Sequence, residues 1–235
     1  MSCPIVRCPN RKLGYRFLVA EAAWIASGRN DLASIVPYAK QLARFSDDGL
    51  TLAGSYGPPF IDQLGWIVRT LANDPASRQA VATIWRPRPG PSNDTPCTVA
   101  LQWLIRDRRL HCVATMRSSD AWTGWVYDVH SFSTMSAVVA LALREYLKHR
   151  PPVVGLVEPP PNELGNLILT VGSQHLYKLD WEAAERCANC EDELPAVAPL
   201  DLAEFKEPLD LTDYLWAHAR GQAHGAKRWL RELLP

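Results

Sequence analysis

Three groups of side chains between Pro96 and Asp128 could carry out covalent chemistry on a ring. They are Cys97 after a proline, the run Arg117-Ser118-Ser119-Asp120, and Asp128, which follows a glycine and two aromatic residues. A thiolate can add to carbon 6 of a pyrimidine, and the adduct makes carbon 5 an enamine that attacks a one-carbon electrophile. Arginine and hydroxyl groups are natural ligands of phosphate. The segment therefore indicates a pyrimidine nucleotide site.

Cys97 is the candidate nucleophile. A Pro-Cys pair alone is more typical of a small buried residue at the start of a strand. Gln102, five residues later, and the Arg117 run beyond the next turn favour the catalytic interpretation. The thiol needs a depressed pKa for this role, and we expect nearby arginines to supply the positive potential.

Asp128 is the candidate for recognising the base. A carboxylate cannot donate a hydrogen bond, but it can accept from the exocyclic amine of cytosine and from a protonated ring nitrogen 3. A uracil carbonyl facing it would be a repulsive contact, and discrimination against a missing hydrogen bond reaches about 10⁴-fold. The alternative is a structural role, in which Asp128 caps a helix just before Val129. The catalytic interpretation favours cytosine.

Further short motifs lie on both sides of this segment. They are Glu21-x-x-Trp24, Tyr56-Gly57, the Asp-Pro-x-Ser-Arg run at 74–78 and His175-x-Tyr177. Together with the residues above, their order resembles the thymidylate synthase family and, because of Asp128, more closely its deoxycytidylate hydroxymethylase branch. The resemblance implies an α+β thymidylate synthase-like fold, in which long helices cover a mixed β-sheet. It also implies one catalytic domain over residues 1–235 and a sheet-to-sheet homodimer.

By this resemblance, side chains from both subunits would hold the 5′-phosphate. Arg117 and Ser118 would bind it within one protomer, and Arg78 would reach it across the interface. The family usually has two adjacent arginines where this chain has Arg78-Gln79. One phosphate contact is therefore weakened or replaced.

Other nucleotide contacts follow from the same resemblance. The side chains assigned to them are Arg11, with Arg7 as the alternative, Gln102, Ser173, His175 and Tyr177. His175 and Tyr177 can bond the 3′-hydroxyl of either sugar. Ser173 matches the deoxycytidylate enzymes and leaves less room beneath the 2′ position. We therefore expect deoxycytidylate in preference to cytidylate.

The resemblance also implies 5,10-methylenetetrahydrofolate as the cofactor. Asp120 would hold its pterin, with Trp24 and Gly124 also in contact with it. Glu21 would be the general acid and base that opens the folate imidazolidine ring, and burial one turn from Trp24 would raise its pKa. The alternative for Glu21 is an exposed helix charge. The predicted catalytic residues are Cys97, Glu21, Asp128 and Tyr56.

Two departures from thymidylate synthase favour a hydroxymethyl product. After the one-carbon transfer, hydride would give a methyl group and water would give a hydroxymethyl group. The synthase has a Trp-rich stretch that shields this carbon, whereas residues 37–57 contain no Trp and one Phe, Phe45. Thr98 follows Cys97 where the synthase has His. We therefore expect a deoxycytidylate 5-hydroxymethyltransferase, whose product feeds modified phage DNA or, from the ribonucleotide, a nucleoside antibiotic pathway.

Several alternatives stay open. Within the enzyme class they are a CMP hydroxymethylase, a dCMP methyltransferase, and a dUMP-acting hydroxymethylase or thymidylate synthase. From another class, the chain could be a non-catalytic nucleotide-binding relative, which the Gln79 replacement slightly supports. The joint presence of Cys97, Glu21 and Asp120 argues against that alternative.

The composition agrees with a protein that binds a small anion. Lys plus Arg and Asp plus Glu are equal at 25 each in 235 residues, so no net field recruits nucleic acid or a membrane. No apolar run approaches the roughly 20 residues of a membrane span, and the N-terminus lacks the apolar stretch of a signal peptide. These features predict a cytoplasmic protein, in the host cytoplasm if a phage encodes it.

The cysteines other than Cys97 give little indication of a functional site. A Cys187-x-x-Cys190 pair invites a zinc or redox interpretation, but the spacing of Cys3 and Cys8 does not supply a convincing second half. We therefore expect an exposed helix end there and no metal site.

Hydrophobic periodicity and turn residues predict the elements that position these groups. The predicted helices cover 14–28, 59–72, 131–149 and 181–190, and the predicted strands cover 80–85, 98–105, 110–117 and 166–177. Residues 107–109 form a hairpin turn, and residues 86–96 and 153–165 form loops. After Pro195 the pattern is irregular up to Trp229.

Overall fold

A mixed sheet and one long buried helix form the frame of the protein. In the computed structural model, the described residues are 5–87, 91–149, 161, 163–192, 194, 197–222 and 229–230. The sheet has the spatial order β1-β2-β3-β5, with strands β1 (Val81–Thr83), β2 (Thr98–Arg106), β3 (Arg109–Met116) and β5 (Glu163–Val171). The first three pair antiparallel, and β5 pairs parallel to β3. A separate parallel pair consists of β4 (Ser119–Asp120) and β6 (Gln174–His175).

Helix α4 (Trp125–Lys148) lies against one face of the sheet. Its residues 131–141 are small or aliphatic apart from one Phe, and all are buried. The hydroxyl of Ser136 accepts a hydrogen bond from Trp103 Nε1 at 3.0 Å and donates to the carbonyl of Phe132. Ser136 is tolerated in this core because its hydroxyl has partners on both sides.

By length and composition alone, α4 is apolar enough to cross a membrane, so the expectation that no apolar run approaches that length is wrong. However, 78% of its apolar window is buried inside the protein.

Three further helices cover this frame. They are α1 (Tyr15–Ala26), α3 (Gly57–Asn73) and α6 (Pro208–Ala219), and each packs against α4. Short helices α2 (Leu32–Ile35) and α5 (Trp181–Ala188) and 3₁₀ turns at Lys40–Phe45, Lys178–Asp180 and Leu202–Glu204 complete the set within the described ranges. The α+β class and the mixed sheet under long helices are confirmed.

The structure corrects three expectations about the elements. Helix α4 begins six residues earlier than predicted, with Gly124 at its N-cap, so a capping role for Asp128 is wrong. The predicted strand over 166–177 is two strands, of which the first spans Glu163–Val171 and the second spans Gln174–His175. Helix α6 lies where an irregular segment was expected, and Pro208 in its first turn is a helix-start signal. Most of the predicted 153–165 loop lies outside the described residues.

Candidate active site

An open cavity lies between α1, the start of β2 and the first turn of α4. Its empty volume is about 680 Å³ including its open mouth. Its lining includes the polar side chains of Glu21, Tyr56, Asp94, Cys97 and Asp128 and the apolar side chains of Trp24, Ile35, Leu42 and Leu52. The four predicted catalytic residues and Trp24 therefore face one space.

Local backbone geometry brings Tyr56 and Trp24 to the cavity. Gly57 follows Tyr56 at the start of α3, and a Cβ there would lie 2.6 Å from the carbonyl oxygen of Arg29, so only glycine fits. The Tyr56 ring stacks on Phe132 of α4 at 6.3 Å. Trp24 Nε1 donates to the carbonyl of Asp31 at 3.1 Å, which fixes the indole on α1.

Cys97 lies where the loop over 91–96 enters β2. The pairing of β2 and β3 shifts register between Thr98 and Ala100. The carbonyl of Val99 accepts from the amides of both Ile84 and Trp85, at 2.9 and 3.0 Å. A bulge of this kind bends a strand and redirects its side chains. It stands directly beside the candidate nucleophile.

The electrostatics at Cys97 differ from the expected depressed pKa. Burial raises the pKa of the Cys97 thiol, the positive charge of Arg117 opposes this shift, and the negative charges of Asp128 and Asp94 add to it. Arg117 is positioned as predicted, with Nη2 3.8 Å from Cys97 Sγ. The arginine alone does not reverse the shift, so the expectation of a depressed pKa is wrong for the protein without ligand.

Two carboxyl groups in the cavity have pKa values well above the usual range. Burial raises the pKa of Glu21 to about 8, and the charge of Asp128 adds to that shift. Burial also raises the pKa of Asp128 to about 7. Both acids are therefore partly protonated near neutral pH. Asp128 can donate a hydrogen bond in that form, which corrects the expectation that it can only accept.

The Tyr56 hydroxyl belongs to the same cavity. Burial raises the pKa of Tyr56 well above its usual value, and the charge of Asp128 adds to the shift. Thr98, which follows Cys97, is fully buried. Tyr56 therefore stays a neutral hydroxyl that can donate or accept.

A clamp on the nucleophile loop was missed by sequence reasoning. Asp94 Oδ2 accepts a hydrogen bond from the amide of Gly54 at 2.6 Å. Ser92 Oγ donates to Asp47 Oδ2 at 2.6 Å, and the amide of Asn93 donates to Asp47 Oδ1 at 2.9 Å. These bonds attach the loop before Cys97 to residues 47–54. The Ser-Asn-Asp sequence indicates a turn, but it does not identify the residues that hydrogen-bond to it.

Several of the predicted phosphate and sugar residues lie close to one another where β4 pairs with β6. Pairing of β4 with β6 places Ser118 Oγ 3.5 Å from His175 Nδ1. The His175 and Tyr177 rings meet edge to face at 5.0 Å. The carbonyl of Ser173 accepts from the amide of Ser119 at 2.9 Å. Arg117 connects this group to the cavity through its contact with Cys97.

The loop over 120–124 is held by Asp120. Its carboxylate accepts from the amide of Trp122 at 2.8 Å and from the hydroxyl of Thr123. Burial opposes ionisation of Asp120, but these hydrogen bonds outweigh it and lower the pKa. The amide of Gly124 donates to the Asp120 carbonyl at 3.2 Å. The Arg11 guanidinium lies 4.4 Å above the Trp122 ring and donates to its carbonyl, so Arg11 contacts this loop.

Among the predicted substrate residues only Asp128 lines the cavity, and Arg78 and Gln102 lie outside it. Arg78 is exposed, and its carbonyl accepts from Gln102 Nε2 at 2.7 Å. Gln102 alternates along β2 with the buried Leu101 and Trp103, so its side chain lies on the opposite face of the sheet. Their substrate roles stay predictions. Sequence reasoning missed Trp85, whose ring centroid lies 6.0 Å from Cζ of Arg117.

Comparison with known proteins identifies relatives of both sequence and fold. The family model described as Thymidylate synthase matches residues 4–149. The structure is similar to thermostable thymidylate synthase A from Bacillus subtilis, with a TM-score of 0.64 and 20% identity, over 88% of this chain and 74% of that one. That likeness establishes a shared fold.

A curated relative is a protein of Bacillus phage SP01 described as deoxyuridylate hydroxymethyltransferase. It is 31% identical over 150 aligned residues, which cover 55% of this chain. The match covers 39% of the phage protein, so the chain spans about two fifths of that relative's length.

Proposed function

Because the chain belongs to the thymidylate synthase family, we propose that it transfers a one-carbon unit to carbon 5 of a pyrimidine nucleoside monophosphate. One observation carries this proposal. A single cavity joins the thiol of Cys97 to two carboxyl groups with raised pKa values, Glu21 and Asp128. A nucleophile, a proton carrier and a base-recognising acid are the groups that this reaction needs.

Cys97 would attack carbon 6 of the ring as a thiolate. The charge of Asp128 raises the pKa of Cys97 in the protein without ligand. A base that shares a proton with Asp128 neutralises that charge, and Arg117 stays close to the sulfur. Substrate binding would therefore lower the cost of forming the thiolate.

The cavity fits a folate cofactor by the chemistry of its side chains. 5,10-Methylenetetrahydrofolate would supply the one-carbon unit as a methylene group. Glu21 keeps its proton near neutral pH and can deliver it to a ring nitrogen, directly or through water. Trp24, one turn along α1, offers a flat apolar surface in the same cavity. The ionised Asp120 would accept hydrogen bonds from the pterin, with Gly124 beside it.

We propose cytosine as the favoured base. Asp128 and cytosine N3 can hold one proton between them while the other carboxyl oxygen accepts from the exocyclic amine. This pair is charge-assisted because N3 of cytosine is basic. Uracil pairs with the protonated acid only through neutral hydrogen bonds, since its carbonyl is a weak base. Selectivity then depends on the basicity of the ring.

We propose water as the group that completes the reaction and hydroxymethyl as the product. The cavity wall contributed by residues 35–55 contains Ile35, Leu42, Leu52 and Ser55 and no aromatic side chain. Asp94 adds a carboxyl group next to Cys97. A wall without a shielding ring leaves room for water at the new methylene carbon.

A second candidate substrate is deoxyuridylate. The phage SP01 relative is described as a deoxyuridylate hydroxymethyltransferase, and a protonated Asp128 can donate to the uracil carbonyl while it accepts from N3–H. This candidate shares the nucleophile, the cofactor and the product chemistry with the first. The two differ only at the contact with Asp128.

The phosphate site would be shared between two copies of the chain. Arg117, Ser118 and Arg11 would serve it from one protomer. Arg78 lies on the face of the sheet away from its own cavity, which suits a residue that reaches a partner's nucleotide. We propose a homodimer that pairs through this face.

Mass spectrometry of dCMP, CMP and dUMP, each incubated with the protein and methylenetetrahydrofolate, tests the proposal. A gain of about 30 mass units on dCMP, and far less on the other two, is the expected result. The same gain on dUMP would move the assignment to the second candidate, and a gain of about 14 units would mean that hydride completes the reaction. Absence of any product with all three nucleotides would reject one-carbon transfer.

A further inference from the structure

A pair of cysteines outside the cavity joins two distant parts of the chain. Cys8 Sγ lies 3.8 Å from the carbonyl oxygen of Cys187, across a separation of 179 residues. The Cys8 thiol is also close enough to the Cys187 thiol to raise its pKa. Both side chains are half-buried and both cysteines are free thiols. Neither takes part in the proposed reaction.

Helix α5, which carries Cys187 in its last turn, has little else to hold it. It buries no residue. Trp181 at its first position and Leu179 just before it are exposed. Near its end, Asn10 Nδ2 donates to the carbonyl of Arg186 at 3.3 Å. The N-terminal segment over 8–10 is therefore the neighbour that positions the end of α5, through weak polar contacts.

We propose that Cys8 and Cys187 form a disulfide that fastens the N-terminal segment to the end of α5. The oxidant is a low-molecular-weight disulfide. The thiolate of Cys8 attacks one sulfur of that molecule, expels one thiol and forms a mixed disulfide. Cys187 then attacks the Cys8 sulfur and expels the second thiol. Two protein thiols are oxidised to one S–S bond, and one small disulfide is reduced to two thiols, which take up the two protons.

The surroundings of Cys187 set the speed of the second step. Burial raises the pKa of Cys187 to about 11, the neighbouring Cys8 adds to the shift, and Arg11 opposes it. Burial still raises the pKa of Cys187 once Cys8 is part of the mixed disulfide, so few Cys187 thiolates exist at neutral pH and ring closure should accelerate as pH rises.

A disulfide agrees better with this geometry than a metal ion does. A structural zinc site needs four ligands in a tetrahedral arrangement. Among the residues that the structure describes, no three His, Cys, Asp or Glu side chains are arranged to hold a metal ion. Cys190 follows the end of α5, where its thiol approaches Asp192 Oδ2 at 3.7 Å. The close contact involves two sulfurs, which is the number that a disulfide requires.

The crosslink would also restrain part of the candidate active site. Arg11 follows Cys8 by three residues and lies on the Trp122 ring. Trp122 in turn donates its amide to Asp120. Oxidation therefore fixes one end of the segment that carries a predicted phosphate ligand. The inference itself stands on the thiol contact and does not depend on the proposed function.

Tryptic mapping of the full chain after treatment with oxidised glutathione tests this proposal. Trypsin releases Cys8 in the peptide 8–11 and Cys187 in the peptide 187–206, so the disulfide gives one linked pair of peptides that separates on reduction. We expect the linked pair to form in the wild type and in Cys190→Ser, and to be absent in Cys8→Ser and Cys187→Ser. Amide hydrogen exchange over 181–188 should slow in the oxidised protein, and Tm should rise by about 5 °C or more.

Other outcomes would overturn the proposal. A disulfide between Cys187 and Cys190, contained within the one peptide, would mean that the CxxC pair is the redox unit. Release of zinc from the purified protein on thiol modification would mean that these cysteines are metal ligands. Full alkylation of Cys8 and Cys187 after oxidation at pH 9 would show that the two sulfurs do not react with each other.

Discussion

At the scale of single residues, the chemistry depends on where protons are held. Asp128 ionises near pH 7 and Glu21 near pH 8, and the charge on Asp128 makes the ionisation of Glu21 harder. The two carboxyl groups therefore titrate as a pair. Between about pH 6 and 9 the cavity passes from two neutral acids to two charges, and this change affects both activity and stability.

Asp128→Asn should reduce the preference for cytosine over uracil. An amide gives uracil two neutral hydrogen bonds but cannot share a proton with cytosine N3, so the ratio of kcat/KM for dCMP to that for dUMP should fall by about 100-fold. In the wild type kcat/KM for both nucleotides should fall as pH rises above about 7, because each complex holds one proton at Asp128, and this fall should be absent in Asp128→Asn. Steady-state kinetics at pH 6, 7 and 8 would measure both effects. A fall of kcat/KM in Asp128→Asn as steep as in the wild type would contradict this role of Asp128.

Glu21→Gln should stabilise the protein at high pH. The pKa of Glu21 is raised from 4.5 to about 8 in the fold, so the folded state keeps a proton that the unfolded state loses. This contribution is fully present below pH 4.5 and is lost as pH rises toward 8. The variant should match the wild type near pH 4.5 and exceed its free energy of unfolding by about 2–4 kcal/mol at pH 8.

Urea unfolding from pH 5 to 8 would measure the Glu21 effect. Glu182→Gln makes the same chemical change on the exposed helix α5, where the side chain is 93% exposed, and should leave the pH dependence as in the wild type. Equal pH slopes for the wild type and Glu21→Gln would argue that Glu21 is ionised in the fold.

At the scale of elements, the β2–β3 hairpin is strained at its turn. The predicted three-residue turn is a two-residue turn, because Arg106 already pairs with Arg109. Asp107 and Arg108 have φ values of 50° and 59°, in the left-handed region that such short hairpin turns require. Residues other than glycine, asparagine and aspartate are disfavoured there, so the strain falls on Arg108. The hairpin sets the register that places Cys97 beside Arg117.

Arg108→Gly should therefore stabilise the protein by about 0.5–1 kcal/mol, because the relief of strain exceeds the added freedom of the unfolded chain. Thermal unfolding should show a Tm higher by about 2–4 °C. Arg109→Gly makes the same change one residue later, in the extended backbone of β3, and should lower Tm instead. A lower Tm in Arg108→Gly would show that the turn is not strained at this position.

At the scale of the whole molecule, the outer face of the sheet has no covering layer within the described residues. Alternate residues of β2, β3 and β5 point outward there, among them Gln102, Leu104, Val113 and Ile168. Ile168 is 48% exposed. An uncovered face that mixes apolar and polar groups suits association with a second copy, and Arg78 lies at its edge.

Mixing two inactive variants should restore activity if Arg78 acts across the interface. In a heterodimer of Cys97→Ser with Arg78→Ala, one of the two sites has every required residue. Random pairing should restore roughly a quarter of the wild-type sites. Cys97→Ser mixed with Glu21→Gln is the matched control and should stay inactive, because both residues belong to the same cavity. Activity assays after joint refolding would measure this, and absence of rescue with Arg78→Ala would place Arg78 outside the partner's site.

Motifs and hydrophobic patterns in the chain were enough to predict the family, the α+β class and the residues Glu21, Tyr56 and Asp128 that share a cavity with Cys97. Motif order and hydrophobic periodicity are local properties, so Glu21, Tyr56 and Asp128 could be named before any coordinates. The helix over 15–26 and the strands that flank the hairpin were predicted for the same reason.

The protonation states of Glu21 and Asp128 and the contacts between distant segments could be assigned from the folded structure alone. The pKa values of Glu21 and Asp128 depend on burial by several elements at once, and no spacing along the chain reports burial. The clamp from Asp94 to Gly54 and the contact between Cys8 and Cys187 join residues that are distant in sequence. Packing of the helices against the sheet brings such groups together, and that packing is a property of the whole chain.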